Sequence, residues 1–173
     1  NFDGGKLRKS FDAQREASAC DVRKDEQSME YFAYGSNMNP ERMKQRIGWS
    51  PPSRGAVLQD YQLMFDKQSN DGGKANIRPL KGEAVEGVLY QLAEKDLLSL
   101  DGFEGVSTGD YTREKLEVRI NGDDKCLATA YIALKTGPEN PPTREYLDHL
   151  LAGEEYLSPQ YLEKLRRRST LDS

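Results

Sequence analysis

The sequence predicts an α+β fold formed by one domain. Short apolar stretches separated by clusters of glycine and aspartate outnumber the helical patterns, which indicates a strand-rich chain. The helical patterns do not alternate regularly with the strands, as they do in a doubly wound sheet. The length of 173 residues suits a single core of ordinary size, and no second domain is needed to account for it.

The first strand is predicted at residues 30–35, where aromatic residues suit a half-buried strand. Asn39 and Pro40 then form a typical helix start, with an N-cap residue followed by a first-turn proline. The pattern predicts a short helix from Pro40 to about Ile47, ended by Gly48.

The bend between this strand and this helix has the composition of a small binding pocket. Gly35, Ser36 and Asn37 lie at the bend. Amide N–H groups in such a position point toward a common centre, where they bind a carboxylate or a polarised carbonyl. An ordinary turn is the alternative, because Gly-Ser-Asn is also common turn composition.

Four further strands are predicted from apolar stretches at residues 56–58, 61–65, 76–78 and 84–92. A hairpin follows them. Alternate residues from 116 to 120 are apolar, which gives a strand with one apolar face. The dipeptide Asn121-Gly122 then predicts a tight turn into a second strand at residues 126–134.

Three helices are predicted in the second half of the chain. The first covers residues 94–100 and ends at Asp101-Gly102, which places Glu104 on the loop that follows. The second covers residues 144–151, with leucines on one side. The third starts at Ser158-Pro159, again with an N-cap residue and a first-turn proline, and runs to about Arg168.

The charge balance disfavours a nucleic-acid partner. The chain has 25 basic and 29 acidic residues, a net charge of −4, and no basic stripe. Its only basic run, at residues 166–168, complements the carboxyl end of the last predicted helix. No glycine-rich phosphate motif or metal-ligand spacing occurs, so no cofactor and no metal are expected.

Cysteine usage and hydropathy suggest the compartment. Cys20 and Cys126 are far apart and are too few for a disulfide scaffold, so a reducing, cytoplasmic setting is expected. No apolar run approaches the roughly 18 residues that cross a bilayer, so no membrane partner is expected.

The folded domain is predicted to comprise residues 29–168. Residues 1–28 are charged and poor in large apolar groups, so we expect a disordered tail or a non-native extension. Met29 as the natural start is one hypothesis, and a longer natural protein with its own N-terminal extension is the alternative. Residues 169–173 are expected to form a short C-terminal tail.

Four segments carry a family resemblance. Residues 31–37 read Tyr-Phe-Ala-Tyr-Gly-Ser-Asn, and residues 100–106 read Leu-Asp-Gly-Phe-Glu-Gly-Val. Residues 72–77 contain a Gly-x-Ala-x-Ile pattern, and residues 141–146 run from Pro-Pro to a tyrosine. In this order, these segments resemble those of the gamma-glutamylcyclotransferase family, in the AIG2-like superfamily. The likeness covers roughly residues 30–168.

The resemblance implies a small mixed β-barrel with flanking helices. It implies an enzyme that releases 5-oxoproline and a free amino acid or amine from a small γ-glutamyl substrate, without a cofactor. Glu104 is implied as the catalytic acid and base, and some relatives pair as homodimers. The implied substrate-binding residues are Tyr31, Phe32, Ala33, Tyr34, Gly35, Ser36, Asn37, Tyr111 and Tyr146.

The leaving group stays open at this point. A γ-glutamylamine cyclotransferase, or an enzyme that unmasks a γ-glutamyl group in a biosynthetic intermediate, fits the same motifs. A glutathione-specific enzyme is disfavoured, because that branch usually has leucine after Tyr-Gly-Ser, where this chain has Asn37. A non-catalytic binding module on the same fold is a rival from another class.

Individual residues also have alternatives. Acylation of Ser36 would require a base, and the only histidine, His149, lies on a predicted amphipathic helix without a visible triad. For Tyr111 and Tyr146, the alternative is a core aromatic residue whose hydroxyl has a hydrogen-bond partner.

Overall fold

A computed structural model describes residues 27–172. Its strands are β1 (Met29–Ala33), β2 (Ser53–Lys67), β3 (Lys74–Leu92), β4 (Tyr111–Asn121) and β5 (Asp124–Ala133). Its α-helices are α1 (Pro40–Ile47), α2 (Glu94–Glu104), α3 (Arg144–Leu151) and α4 (Pro159–Arg166), with 3₁₀ turns at Ser36–Met38 and Glu154–Tyr156.

The strands close into a barrel in the order β1-β3-β2-β4-β5. Four of the five contacts between strands are antiparallel, and β1 meets β5 in parallel where Tyr31 pairs with Thr129. The expected α+β fold with a small mixed barrel and flanking helices is therefore confirmed. The barrel and its helices share one hydrophobic core, in which Phe32, Val85 and Val118 are fully buried.

Two predicted pairs of short strands are in fact two long strands. The stretches 56–58 and 61–65 both belong to β2, and 76–78 and 84–92 both belong to β3. The division was wrong because polar residues interrupt the apolar pattern at a bulge, not at a turn. Asp60, at φ 63°, forms this bulge, and its carboxylate accepts a hydrogen bond from the Gly82 amide at 2.9 Å.

The predicted local signals for α1 and the hairpin are confirmed. The Asn39 side chain caps α1 by accepting a hydrogen bond from the Glu41 amide, and Gly48 ends the helix at φ 85°. β4 and β5 form the hairpin around Gly122. The first strand ends at Ala33, two residues earlier than predicted.

The end of α2 differs from the prediction. The helix continues past Gly102 and ends at Glu104, and Gly105 follows it in the left-handed region at φ 64°. Glu104 is thus the last helical residue and does not lie on a loop. The prediction was wrong because it took Gly102 as the end of the helix. A glycine is tolerated inside a helix at a cost of about 1 kcal/mol relative to alanine. Of the two glycines, Gly105 adopts the left-handed conformation that ends the helix.

The last predicted helix begins at its Ser158 cap as expected, and α4 ends at Arg166. Residues beyond it contact the domain: the Leu171 amide donates to the Pro142 carbonyl, and Asp172 accepts from the Arg144 amide. Residues 1–26, where a tail was predicted, lie outside the described residues. Within residues 27–172, no helix has the length and apolar character to cross a bilayer.

Candidate active site

Glu104 lies at the carboxyl end of α2, and its side chain is only 17% exposed. Asn37, from the bend after β1, donates from Nδ2 to Glu104 Oε1 at 3.1 Å and contacts the Tyr31 hydroxyl at 2.9 Å. The Tyr90 hydroxyl donates to the main-chain carbonyl of Asn37 at 2.8 Å, which fixes the bend. The strand-to-helix bend and the glutamate therefore meet in one place.

Arg46 is the cation nearest to this carboxylate. Its Nη1 lies 3.4 Å from Glu104 Oε1 and donates to Asn37 Oδ1 at 2.9 Å. Its guanidinium lies over the Phe103 ring at 4.7 Å from the centroid. These contacts hold Arg46 beside the carboxylate from the side of α1.

Burial raises the pKa of Glu104 above its ordinary value, since the charged form loses contact with water. Arg46, the Asn37 hydrogen bond and Arg42 favour the ionised form and limit this rise. The balance favours a carboxyl group that exchanges a proton more readily near neutral pH than an exposed glutamate does.

Two tyrosines hold the main chain of Ala75 from opposite sides. The Tyr146 hydroxyl accepts a hydrogen bond from the Ala75 amide at 3.0 Å, and the Tyr111 hydroxyl donates to the Ala75 carbonyl at 2.8 Å. Burial raises the pKa of Tyr146 to about 12 and raises that of Tyr111 further. Both hydroxyls are therefore neutral hydrogen-bonding groups at physiological pH.

Support for the end of α2 comes from β4 and β5. Arg113 contacts both carboxylate oxygens of Asp101 at 2.8 and 2.7 Å, and the Tyr131 hydroxyl donates to the same carboxylate at 2.8 Å. The Tyr34 hydroxyl donates to the Tyr131 carbonyl. Two strands of the barrel, β4 and β5, thus fix the helix that carries Glu104.

These groups surround one cavity, which encloses about 310 Å³ of space between atoms, part of it open to solvent. The cavity is lined by Tyr31, Tyr34, Gly35, Ser36, Asn37, Ala75, Glu104, Tyr111, Tyr131 and Tyr146. We call it the Glu104 cavity.

The floor of the Glu104 cavity is the bend after β1. Within residues 27–172, no main-chain carbonyl accepts a hydrogen bond from the amides of Gly35, Ser36 or Asn37. A Cβ atom on Gly35 would lie 3.1 Å from Ala75 Cβ and 3.4 Å from the Tyr146 hydroxyl, so glycine leaves room there. Three amides without a main-chain acceptor, in residues that line a cavity, suit an oxygen-bearing ligand.

Two residues expected in the pocket lie elsewhere. Phe32 and Ala33 are buried strand residues and are not among the residues that line the cavity. Successive side chains of a strand face opposite sides, so the Phe32 side chain faces away from the cavity that Tyr31 lines. The other seven substrate-binding candidates and Glu104 do line the cavity.

Three residues of the site were not predicted from the sequence: Arg46, Ala75 and Tyr131. Ala75 lies in the Gly-x-Ala-x-Ile segment, which could have indicated it. Arg46 reads as a basic residue in the last turn of a helix, where cations are common, and Tyr131 as an ordinary strand residue. Neither pattern signals proximity to Glu104.

Neither a serine triad nor a metal cluster is found among the described residues. His149 contacts Asn39 at 3.0 Å and Arg42 at 3.3 Å, and no hydrogen bond joins it to Ser36. Within residues 27–172, no group of three or more histidine, cysteine, aspartate or glutamate side chains is arranged to hold a metal ion.

Comparisons with known proteins point to one family. The model of the AIG2-like family matches residues 84–165. The chain is 35% identical over 151 residues to the gamma-glutamylcyclotransferase of Homo sapiens, covering 82% of this chain and 79% of that protein. It is 32% identical to the putative gamma-glutamylcyclotransferase YkqA of Bacillus subtilis, of which it covers 54%.

Solved structures agree with the sequence comparisons. A structure described as gamma-glutamyl cyclotransferase superposes with a TM-score of 0.76 at 30% identity, covering 85% of this chain and 91% of that chain. The crystal structure of YkqA from Bacillus subtilis gives a TM-score of 0.74 at 29% identity, covering 84% and 55%. From its sequence and its fold, this chain belongs to the gamma-glutamylcyclotransferase family.

Proposed function

We propose that Glu104 is the general base and general acid of a gamma-glutamyl cyclotransferase reaction. In this reaction a γ-glutamyl substrate cyclises to 5-oxoproline and releases a free amino acid or amine. The observation that carries the proposal is a buried carboxyl group with a raised pKa, facing a cavity that also presents free amides and neutral tyrosine hydroxyls.

Nucleophile and electrophile belong to the same substrate molecule. The α-amine attacks the γ-carbonyl, a ring C–N bond forms, and the original amide C–N bond breaks. The protein must fold the substrate, assist proton transfer from the α-nitrogen to the departing nitrogen and stabilise the oxyanion, so it need not supply a serine, a cysteine or a cofactor.

Glu104 is the residue that accepts and donates the proton. A free α-amine has a reference pKa of about 7.7 to 8.0, so at neutral pH it is mostly protonated and cannot attack. The ionised carboxylate takes this proton, and the resulting carboxylic acid gives it to the departing nitrogen as the amide C–N bond breaks. The ring nitrogen loses its second proton after the attack, and the released amine takes up this proton. The raised pKa of Glu104 makes both steps feasible at one residue.

The amides of Gly35, Ser36 and Asn37 are assigned to the oxygens of the glutamyl group. They line the cavity and are not used by main-chain carbonyls of the described residues. The Tyr146 hydroxyl lines the cavity beside Gly35, 3.4 Å from where a Cβ atom on that residue would lie. Tyr111 supports this side of the cavity through Ala75.

Glu104→Gln tests the proposal, because glutamine keeps the size and hydrogen bonds of the side chain but cannot accept the proton. We expect 5-oxoproline release to fall by at least about a hundredfold, the low end of general acid–base catalysis, with substrate affinity nearly unchanged. Glu114→Gln, at an exposed position on β4, is the control. A Glu104→Gln enzyme that keeps most of its rate contradicts the proposal.

The substrate panel for this assay should contain γ-glutamyl dipeptides, γ-glutamyl-ε-lysine and glutathione. Binding without any turnover across the panel would instead favour a binding module. On the basis of the cysteine usage, we propose the reducing cytoplasm as the compartment; Cys126 is a free thiol whose pKa is raised by burial.

A further inference from the structure

A second cavity adjoins the Glu104 cavity and shares two wall residues with it, Glu104 and Tyr111. It is larger, with about 960 Å³ of space between atoms, much of it open to solvent. We call it the outer groove. Its other walls include Lys67, Gln68, Lys74 and Asp110.

The reaction itself requires a second compartment. The part of the substrate that cyclises occupies the Glu104 cavity, and the departing nitrogen must be close to Glu104 to receive its proton. The leaving group therefore extends past Glu104, and the outer groove is the space that opens there.

Two lysines line the outer groove, and one of them is fully engaged. Lys67 Nζ lies 3.3 Å from Asp110 Oδ1, donates to the Gln68 carbonyl at 2.9 Å, and has a side chain only 9% exposed. It also lies 5.9 Å from the centre of the Tyr111 ring. This lysine ties the end of β2 to the loop after α2 and has little freedom to change partner.

Lys74 is placed differently. Its Nζ is 3.2 Å from Asp71, whose carboxylate is 68% exposed, and water competes for such a pair. The same Nζ lies 4.5 Å from the centre of the Tyr146 ring, a wall of the Glu104 cavity. Lys74 therefore presents an exchangeable ammonium group where the two cavities meet.

The position of this charge distinguishes leaving groups. In a γ-glutamyl-α-amino acid, a carboxylate sits one carbon away from the scissile nitrogen. A γ-glutamyl alkylamine has no such group, and an ε-linked lysine carries its carboxylate several bonds farther away. Of these three leaving groups, only the α-amino acid has a carboxylate close enough to the scissile nitrogen to bind an ammonium group located where the two cavities meet.

We propose that the Lys74 ammonium binds the α-carboxylate of the leaving amino acid and determines how strongly this enzyme distinguishes γ-glutamyl-α-amino acids from γ-glutamyl amines. This assignment rests on the proposed cyclotransferase function. It makes Lys74 a specificity-determining residue that takes no part in proton transfer.

The test compares γ-glutamyl-L-alanine with γ-glutamylethylamine, which lacks only the carboxylate, by 5-oxoproline release. We expect kcat/KM to be about tenfold or more higher for the alanine compound, as for one charge-assisted hydrogen bond. Lys74→Met should remove most of this preference through a higher KM for the alanine compound, and should leave the ethylamine compound within about twofold of the native value.

Two further variants complete the design. Lys74→Arg keeps the charge and should retain much of the preference, whereas Lys81→Met, at an exposed position on β3 outside both cavities, should change nothing. Equal turnover of both compounds by the native enzyme, or an unchanged preference in Lys74→Met, overturns the Lys74 assignment while leaving the cyclotransferase function intact. No 5-oxoproline from any γ-glutamyl compound overturns the proposed function, and the Lys74 assignment with it.

Discussion

Glu104 and Arg46 form an ion pair at 3.4 Å in which the two side chains are only 17% and 13% exposed. Burial raises the pKa of the carboxyl group, and the guanidinium works against this rise. The working pKa of Glu104 is therefore set by two opposed effects, and one of them can be removed by substitution.

Removing the cation should move the pH dependence of catalysis. In Arg46→Met the influence that lowers the pKa of Glu104 is lost, so this pKa rises and the carboxylate is ionised only at higher pH. The acidic limb of kcat/KM should move upward, with a loss of about tenfold at a pH on that limb, the low end of the effect of one opposite charge. The pH profile of 5-oxoproline release measures this.

Lys44→Met is the matched control, since it removes a positive charge from an exposed position on the same helix. It should leave the profile in place. An Arg46→Met profile that coincides with the native one, or moves to lower pH, would show that Arg46 does not influence the reacting carboxyl group.

The same raised pKa predicts how stability depends on pH. Because folding raises the pKa of Glu104, its contribution to stability is fully present below the unfolded value of about 4.3 and is lost as pH rises through the folded value. Glu104→Gln cannot ionise and escapes this loss. We expect the unfolding free energy of the variant, relative to the native enzyme, to increase from pH 4 to pH 9 in urea titrations.

A constant difference between the two proteins across this range would mean that Glu104 has the same pKa when folded and unfolded. Glu114→Gln, on the exposed side of β4, should give such a constant difference and serves as the reference.

Tyr146 and Tyr111 allow the main-chain donor and the main-chain acceptor of one residue, Ala75, to be compared. Tyr146→Phe leaves the buried Ala75 amide without its acceptor, which should cost about 1 to 3 kcal/mol of unfolding free energy. Tyr111→Phe removes a donor to the Ala75 carbonyl, and an under-satisfied carbonyl is tolerated better than an orphaned N–H. Denaturant unfolding should therefore rank Tyr146→Phe as the less stable variant; the reverse order would contradict this account.

Asp101 should support activity without touching the substrate. Asp101→Ala removes the partner of Arg113 and Tyr131 and should cost about 2 to 3 kcal/mol, as for hydrogen bonds to a charged group. It should also lower kcat, because Glu104 lies one helical turn farther along α2. Glu94→Ala breaks an exposed ion pair with the same Arg113 and should cost less than about 1 kcal/mol. Equal losses in the two variants would exclude this supporting role.

The sequence predicts local structure correctly at positions where one residue type is strongly preferred. The Asn39-Pro40 and Ser158-Pro159 helix starts and the Gly122 turn lie where predicted, because caps and tight turns depend on neighbouring residues alone. The bulge at Asp60 was not predicted, since it is stabilised by a hydrogen bond from Gly82 in the neighbouring strand β3 and has no local signature.

The site shows the same division. Glu104 and the bend at residues 35–37 stand out in the sequence through motif resemblance. Arg46 does not stand out in the sequence, because its role depends on α1 packing close to the end of α2. The composition of the two helices does not predict how they pack. The end of α2 was misplaced because Gly102 and Gly105 look alike in the sequence and differ only in backbone conformation.

The parallel contact between β1 and β5 has a consequence for folding kinetics. Tyr31 and Thr129 are far apart in the sequence, so their pairing closes a large loop. Closing such a loop is slow compared with forming local hairpins. Residues 34–37 reach their final place only when β1 has docked. A chain arrested before that step would hold a well-formed hairpin and no pocket, so during refolding turnover should return with the slowest tertiary phase and never ahead of it.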